Sequence, residues 1–121
     1  MKIYILTPFP DMVKAVVSES ILGRSEKKEL VQFDIKNLFD YSDPPHHRID
    51  DYPFGGGAGM VLKPEPVFRA YDTILKDLKQ KTNLRIIFPT PDGDSFSHNK
   101  ALEFSKCENL VFINGHYKGI D

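Results

Sequence analysis

Apolar residues gather in three short runs near the start, the later middle and the end of the chain. Each run is short, rich in branched and aromatic residues, and bounded by proline or turn residues. This predicts buried strands over Lys2–Thr7, Leu84–Phe88 and Leu110–Ile113. Leu30–Leu38 has a different pattern. Val31, Phe33 and Ile35 alternate with Gln32, Asp34 and Lys36, which predicts a strand with one face in a more polar environment. Between these runs the spacing turns helical. Asp11 is suited to cap a helix carrying Met12, Ala15, Val16, Ile21 and Leu22, with Gly23 ending it. Pro64, Glu65 and Pro66 open another, with Val67, Tyr71, Ile74, Leu75 and Leu78 as its apolar stripe and Lys76, Lys79, Gln80 and Lys81 as its solvated end. Ser97 is placed to cap a third, carrying Ala101, Leu102 and Phe104. The methionines and the pair Phe68 and Tyr71 read as core. Strands without polar alternation, spaced by helices, predict an α/β fold: a largely parallel sheet with helices on both faces.

The stretch from Asp40 to Met60 fits neither period. It contains Pro44, Pro45, Pro53, Gly55, Gly56, Gly57 and Gly59, and it exceeds the ~12 residues beyond which loops are usually functional or disordered. Its mixture of His, Asp, Arg and aromatic residues suits a shaped binding loop better than a linker. Gly55–Gly59 lacks the Gly-Lys-Ser/Thr of a phosphate-binding P-loop and the strand-then-helix setting of a dinucleotide fingerprint. On spacing alone a tight turn and a ligand loop fit it equally. His46, His47, Asp50 and Asp51 have metal-ligand chemistry, but adjacent histidines tend to point apart and adjacent loop aspartates usually face solvent or cap local backbone. Hydrogen bonding to a polar ligand, with Arg48 on a phosphate, is the more natural use. Arg24, Lys27 and Lys28 form a small basic cluster. It reads as solvated surface unless it lies beside the Asp40–Met60 loop.

Composition narrows the classes. The 121 residues suit one domain, and the 40% apolar fraction excludes general disorder. Sixteen basic and 17 acidic residues leave a net charge of −1, which argues against a strongly basic nucleic-acid arm but not against a local patch. One cysteine, Cys107, excludes an internal disulfide framework and reads as incidental rather than nucleophilic. No apolar run approaches the ~20 residues of a membrane span and no signal-like segment opens the chain, so the expected setting is cytoplasmic, with no membrane partner. In an open α/β sheet, ligands bind beyond the carboxyl ends of the strands. That directs attention to Thr7–Pro10, Pro89–Gly93 and Asn114–Gly119.

A specific resemblance joins these loops. Asp50-Asp51-Tyr52-Pro53-Phe54-Gly55-Gly56-Gly57-Ala58-Gly59-Met60 resembles the signature loop of the bacterial tRNA (guanine-N1)-methyltransferases of the TrmD type. Ile5–Met12, Gly23-Arg24, His47-Arg48-Ile49, Thr90-Pro91-Asp92-Gly93 and Gly115–Asp121 are similar, in order, to further blocks of that family. Lys118 stands where an acid is common there, and Phe54 where Tyr is common.

The resemblance implies a SPOUT-class fold with a deep trefoil knot, S-adenosyl-L-methionine as methyl donor, and a homodimer with each active site at the subunit interface. It leaves the use of a divalent cation open and assigns no metal ligand. The implied reaction is methylation of ring nitrogen 1 of the tRNA guanosine beside the anticodon. Thr90, Pro91, Gly115, Tyr117 and Gly119 would meet the donor. Asp50 and Gly59 would meet the guanosine, and Arg24, His46 and Arg48 the tRNA. The family's catalytic Asp lies beyond Asp121, so residues 1–121 are expected to form the N-terminal part of the methyltransferase domain. They would lack the knot-completing segment, the proposed base and the C-terminal tRNA-binding domain, and would be inactive alone. The alternative is a non-catalytic RNA- or nucleotide-binding module using Arg24, Arg48 and the glycine loop.

Overall fold

Branched and aromatic side chains favour extended backbone, and Lys2–Thr7 forms β1 as expected. The computed structural model describes residues 1–78 and 83–115. After β1 come α1 (Pro10–Val17), α2 (Ser20–Lys27) and β2 (Gln32–Asn37). A 3-10 turn (Leu38–Tyr41), β3 (Asp50–Asp51), β4 (Val61–Leu62) and α3 (Pro64–Asp77) follow, then β5 (Leu84–Ile87), α4 (His98–Ser105) and β6 (Asn109–Ile113). The main sheet has the order β2-β1-β6-β5, and every pairing in it is parallel. Right-handed crossovers on this order send α1, α2 and α4 to one face and α3 to the other.

The closed side of the core lies under α3. Tyr4 and Leu6 of β1 and Val111 of β6 pack with Val67, Ala70 and Ile74 of α3, sealed by Leu38, Ile49 and Leu62. On the opposite face Ile3, Leu110 and Phe112 line an open groove with Phe104 of α4.

Several expectations are corrected. The region after Asp11 is two helices, not one. Phe9 takes the N-cap position, Pro10 opens α1, and Asp11 sits in the first turn, where its charge suits the positive helix end. Gly23 does not end a helix; it lies inside α2. A Cβ built there would stand 2.3 Å from the Ser18 carbonyl oxygen, so only glycine permits the tight α1–α2 corner. Ser20 turns that corner with a φ of 55°.

Leu84–Ile87 is an edge strand rather than a buried one, and Ile86 is exposed. Leu30 lies outside β2 and is exposed, whereas Leu38 is fully buried in the 3-10 turn. Met1, Met12 and Phe68 are exposed, not core; α3 turns Val67, Ala70 and Ile74 inward and so leaves Phe68 outside. Ser97 caps α4 as expected, accepting a hydrogen bond from the Lys100 amide at 3.2 Å. Lys79, Gln80 and Lys81 lie outside the described residues.

Candidate nucleic-acid interface and donor-binding loops

The Asp40–Met60 stretch is more ordered than its composition suggests. Ile49 is fully buried, and its carbonyl accepts from the Lys63 amide. Just beyond it, Asp50 pairs with Leu62 and Asp51 with Val61 in a short antiparallel ladder. One buried apolar anchor and one ladder thus close the signature sequence into a hairpin. The Asp51 carboxylate accepts from the Tyr52 amide at 2.7 Å, and the Gly56 amide donates to the Pro53 carbonyl at 3.1 Å.

Gly56, Gly57 and Gly59 have φ values of 82°, 102° and 89°, which L side chains rarely adopt. A Cβ at Gly56 or Gly57 would meet no atom within 4 Å. These glycines therefore serve backbone conformation and leave open space, the arrangement a ligand loop needs. Gly57→Ala is expected to cost about 1–2 kcal/mol through strain alone. Urea denaturation measures it, and an unchanged midpoint would remove the conformational argument.

At the entrance to the hairpin, Arg48 Nε donates to Asp50 Oδ1 at 3.4 Å. His46 and Arg48 are exposed, and Asp50 is partly buried. His47 is exposed and takes a φ of 49°; its amide donates to the Asp43 carbonyl at 2.9 Å. The segment from His46 to Gly59 carries four of the five residues expected to meet RNA, His46, Arg48, Asp50 and Gly59, of which Arg48 and Asp50 touch. Arg24, the fifth, lies in the last turn of α2. Among the described residues its side chain makes no hydrogen bond or ion pair with this segment. No cluster of three or more potential metal ligands occurs among the described residues.

The donor-loop candidates follow from strand order. Because β1, β6 and β5 are adjacent and parallel, the loops leaving their carboxyl ends lie side by side. The Asn114 amide donates to the Leu6 carbonyl at 2.8 Å, tying the end of β6 to that of β1. Thr7 Oγ1 accepts from the Phe9 amide at 3.0 Å and sets the first loop. Thr90 and Gly93 form a turn, the Gly93 amide donating to the Thr90 carbonyl at 3.1 Å. A Cβ at Gly115 would stand 3.9 Å from the Phe88 ring, so the loops after β5 and β6 meet. Thr90, Pro91 and Gly115 are thus gathered at one end of the sheet, beside the groove walled by Phe88 and Phe112. Tyr117 and Gly119 lie outside the described residues.

Sequence reasoning passed over Ser42, Asp43 and Arg69. Arg69 Nη1 of α3 donates to the Tyr41 carbonyl at 2.8 Å and pairs with Asp43 Oδ1 at 3.0 Å. Its carbonyl partner is 28 residues away, and no local pattern signals such a contact.

The model of the family described as tRNA (Guanine-1)-methyltransferase TrmD matches residues 1–121. A tRNA (guanine-N(1)-)-methyltransferase of Staphylococcus aureus strain JH9 is 47% identical over all 121 residues, which cover 48% of that relative. The protein of the same name from Staphylococcus carnosus is 50% identical with the same coverage. The crystal structure of tRNA (m1G37) methyltransferase from Aquifex aeolicus superposes with a TM-score of 0.86 at 32% identity, covering 100% of this chain and 53% of that one. The chain spans about half the length of these relatives. Fold, signature hairpin and whole-chain similarity agree, and the chain belongs to the tRNA (guanine-1)-methyltransferase family of the TrmD type.

Proposed function

We propose that this chain is the N-terminal part of an enzyme that transfers a methyl group from S-adenosyl-L-methionine to N1 of the tRNA guanosine beside the anticodon. The observation that carries the reading is the signature hairpin, held open by its glycines and closed at its base by the β3–β4 ladder, within a match that runs the whole length of the chain. When bound, the donor supplies an electrophilic methyl group on a sulfonium. The residues at the sheet's carboxyl end fit such a group. Pro89, Thr90 and Pro91 offer backbone polar groups, and Phe88 and Phe112 offer apolar wall.

Asp50 has one carboxylate oxygen on Arg48 and accepts from the guanine N–H edge with its remaining capacity. The Gly59 backbone admits the base closely. His46, Arg48 and Arg24 contact RNA. Holding the base in line with the methyl group is the main contribution these residues make to rate.

The reading places the protein in the cytoplasm as a homodimer. No helix among the described residues is long and apolar enough to cross a membrane. Met12, Val16, Ile21 and Leu22 leave an exposed apolar surface on α1 and α2, which supports a subunit contact.

The test uses unmodified tRNA and methyl-labelled donor with the polypeptide carried to its relatives' length. Label on guanine N1, together with calorimetric donor binding, is expected, and the 121-residue chain alone is expected to be inactive. Salt-dependent RNA binding without donor binding would instead identify a non-catalytic RNA-binding module.

A further inference from the structure

The segment carrying His46, His47 and Arg48 is held from below by α3. Arg69 and Thr73 stand one turn apart on the same helix face. Arg69 grips the Tyr41 carbonyl and the Asp43 carboxylate. Thr73 Oγ1 donates its proton to the Ala70 carbonyl at 2.7 Å, so at 3.4 Å it accepts from the Tyr41 hydroxyl.

Asp43 then links the two layers. Its carboxylate faces Arg69 while its carbonyl accepts the His47 amide at 2.9 Å. Ser42 completes the hold. Its hydroxyl proton goes to the Phe39 carbonyl at 2.6 Å, which leaves an oxygen lone pair for His47 Nδ1–H at 3.3 Å. In neutral His47 this fixes the tautomer, with Nε2 as a hydrogen-bond acceptor. A non-glycine residue in left-handed backbone, as His47 is, persists only where its surroundings hold it.

We propose that Arg69 is a positioning residue for the RNA-contacting segment His46–Arg48, acting through Asp43 and the Tyr41 carbonyl rather than by touching RNA. The inference rests on the tRNA reading above and adds a residue outside the signature loop.

The test measures tRNA affinity against salt concentration in the full-length polypeptide. Arg69→Met is expected to weaken binding about twofold to fivefold, the size of losing an exposed charged contact, with an unchanged salt slope. Asp43→Asn should weaken binding in the same way, and the double variant should be little worse than either single one. Arg48→Met, by contrast, should lower the salt slope by about one. Hydrogen exchange at the His47 amide should accelerate in Arg69→Met while amides of β1 and β6 keep their protection.

A salt slope that falls by about one in Arg69→Met, with Asp43→Asn harmless, would show a direct phosphate contact and overturn the proposal. Unchanged affinity and unchanged His47 exchange would overturn it as well. If the unaltered protein shows no salt-dependent tRNA binding, the tRNA reading falls, and the proposal with it. Accelerated His47 exchange in Arg69→Met would then still mark the clamp itself as real.

Discussion

Leu6→Ala is expected to destabilise the fold by about 2–5 kcal/mol, the range for truncating a fully buried leucine. The site explains why the upper half of that range applies. Leu6 is fully buried in β1, between β2 and β6, opposite Lys36 on one side and Ile113 on the other. Its side chain belongs to the cluster that joins the sheet to α3. A strand paired on both sides has little freedom to move inward, so most of the vacated volume persists as a cavity. With a urea dependence of about 1–3 kcal/mol per molar, the unfolding midpoint should fall by about 1–5 M. A loss below about 1 kcal/mol would mean that α3 can collapse onto the sheet, contrary to the packing described.

At an interior helix position, replacing glycine with alanine normally gains about 1 kcal/mol. Gly23→Ala is expected to lose about 1–3 kcal/mol instead, the usual cost of forcing extra atoms into a packed site. The added Cβ would meet the Ser18 carbonyl oxygen at 2.3 Å and its carbon at 2.7 Å. Both are backbone atoms, so no rotamer change relieves the overlap. Relief requires α1 and α2 to part at Glu19 and Ser20, a corner already turned with Ser20 at a positive φ. Urea titration of the variant decides the matter, and a stabilised protein would show that the corner yields freely.

The parts of this fold visible in the sequence are those where local chemistry and tertiary packing agree. β1, β6, the proline opening of α3 and the Ser97 cap were legible because each is specified by residues within a few positions of one another. The signature hairpin was legible as chemistry, though not as structure. Its two-residue ladder depends on Ile49 and Leu62 finding the same core, which no periodicity encodes. The α1–α2 corner was misread because Gly23 resembles a helix stop, whereas its true constraint is the approach of Ser18. Phe68 was misread because an aromatic one position from a stripe looks like core until the helix phase is known. Arg69 was invisible for the same physical reason, since its partners lie in another element.

The register of β1 has a consequence for how the chain is made. β1 leaves the ribosome before the other elements described above, yet it sits in the interior of the sheet, and Lys2 pairs with Asn109. At synthesis rates of about 5–20 residues per second, that partner emerges roughly 5–20 seconds later. During this interval β1 can pair with β2 while the edge that β6 will take stays open. The nascent chain therefore carries this central strand half-paired over that whole interval, and its yield in a cell should depend on how well the strand is shielded before residue 113 appears.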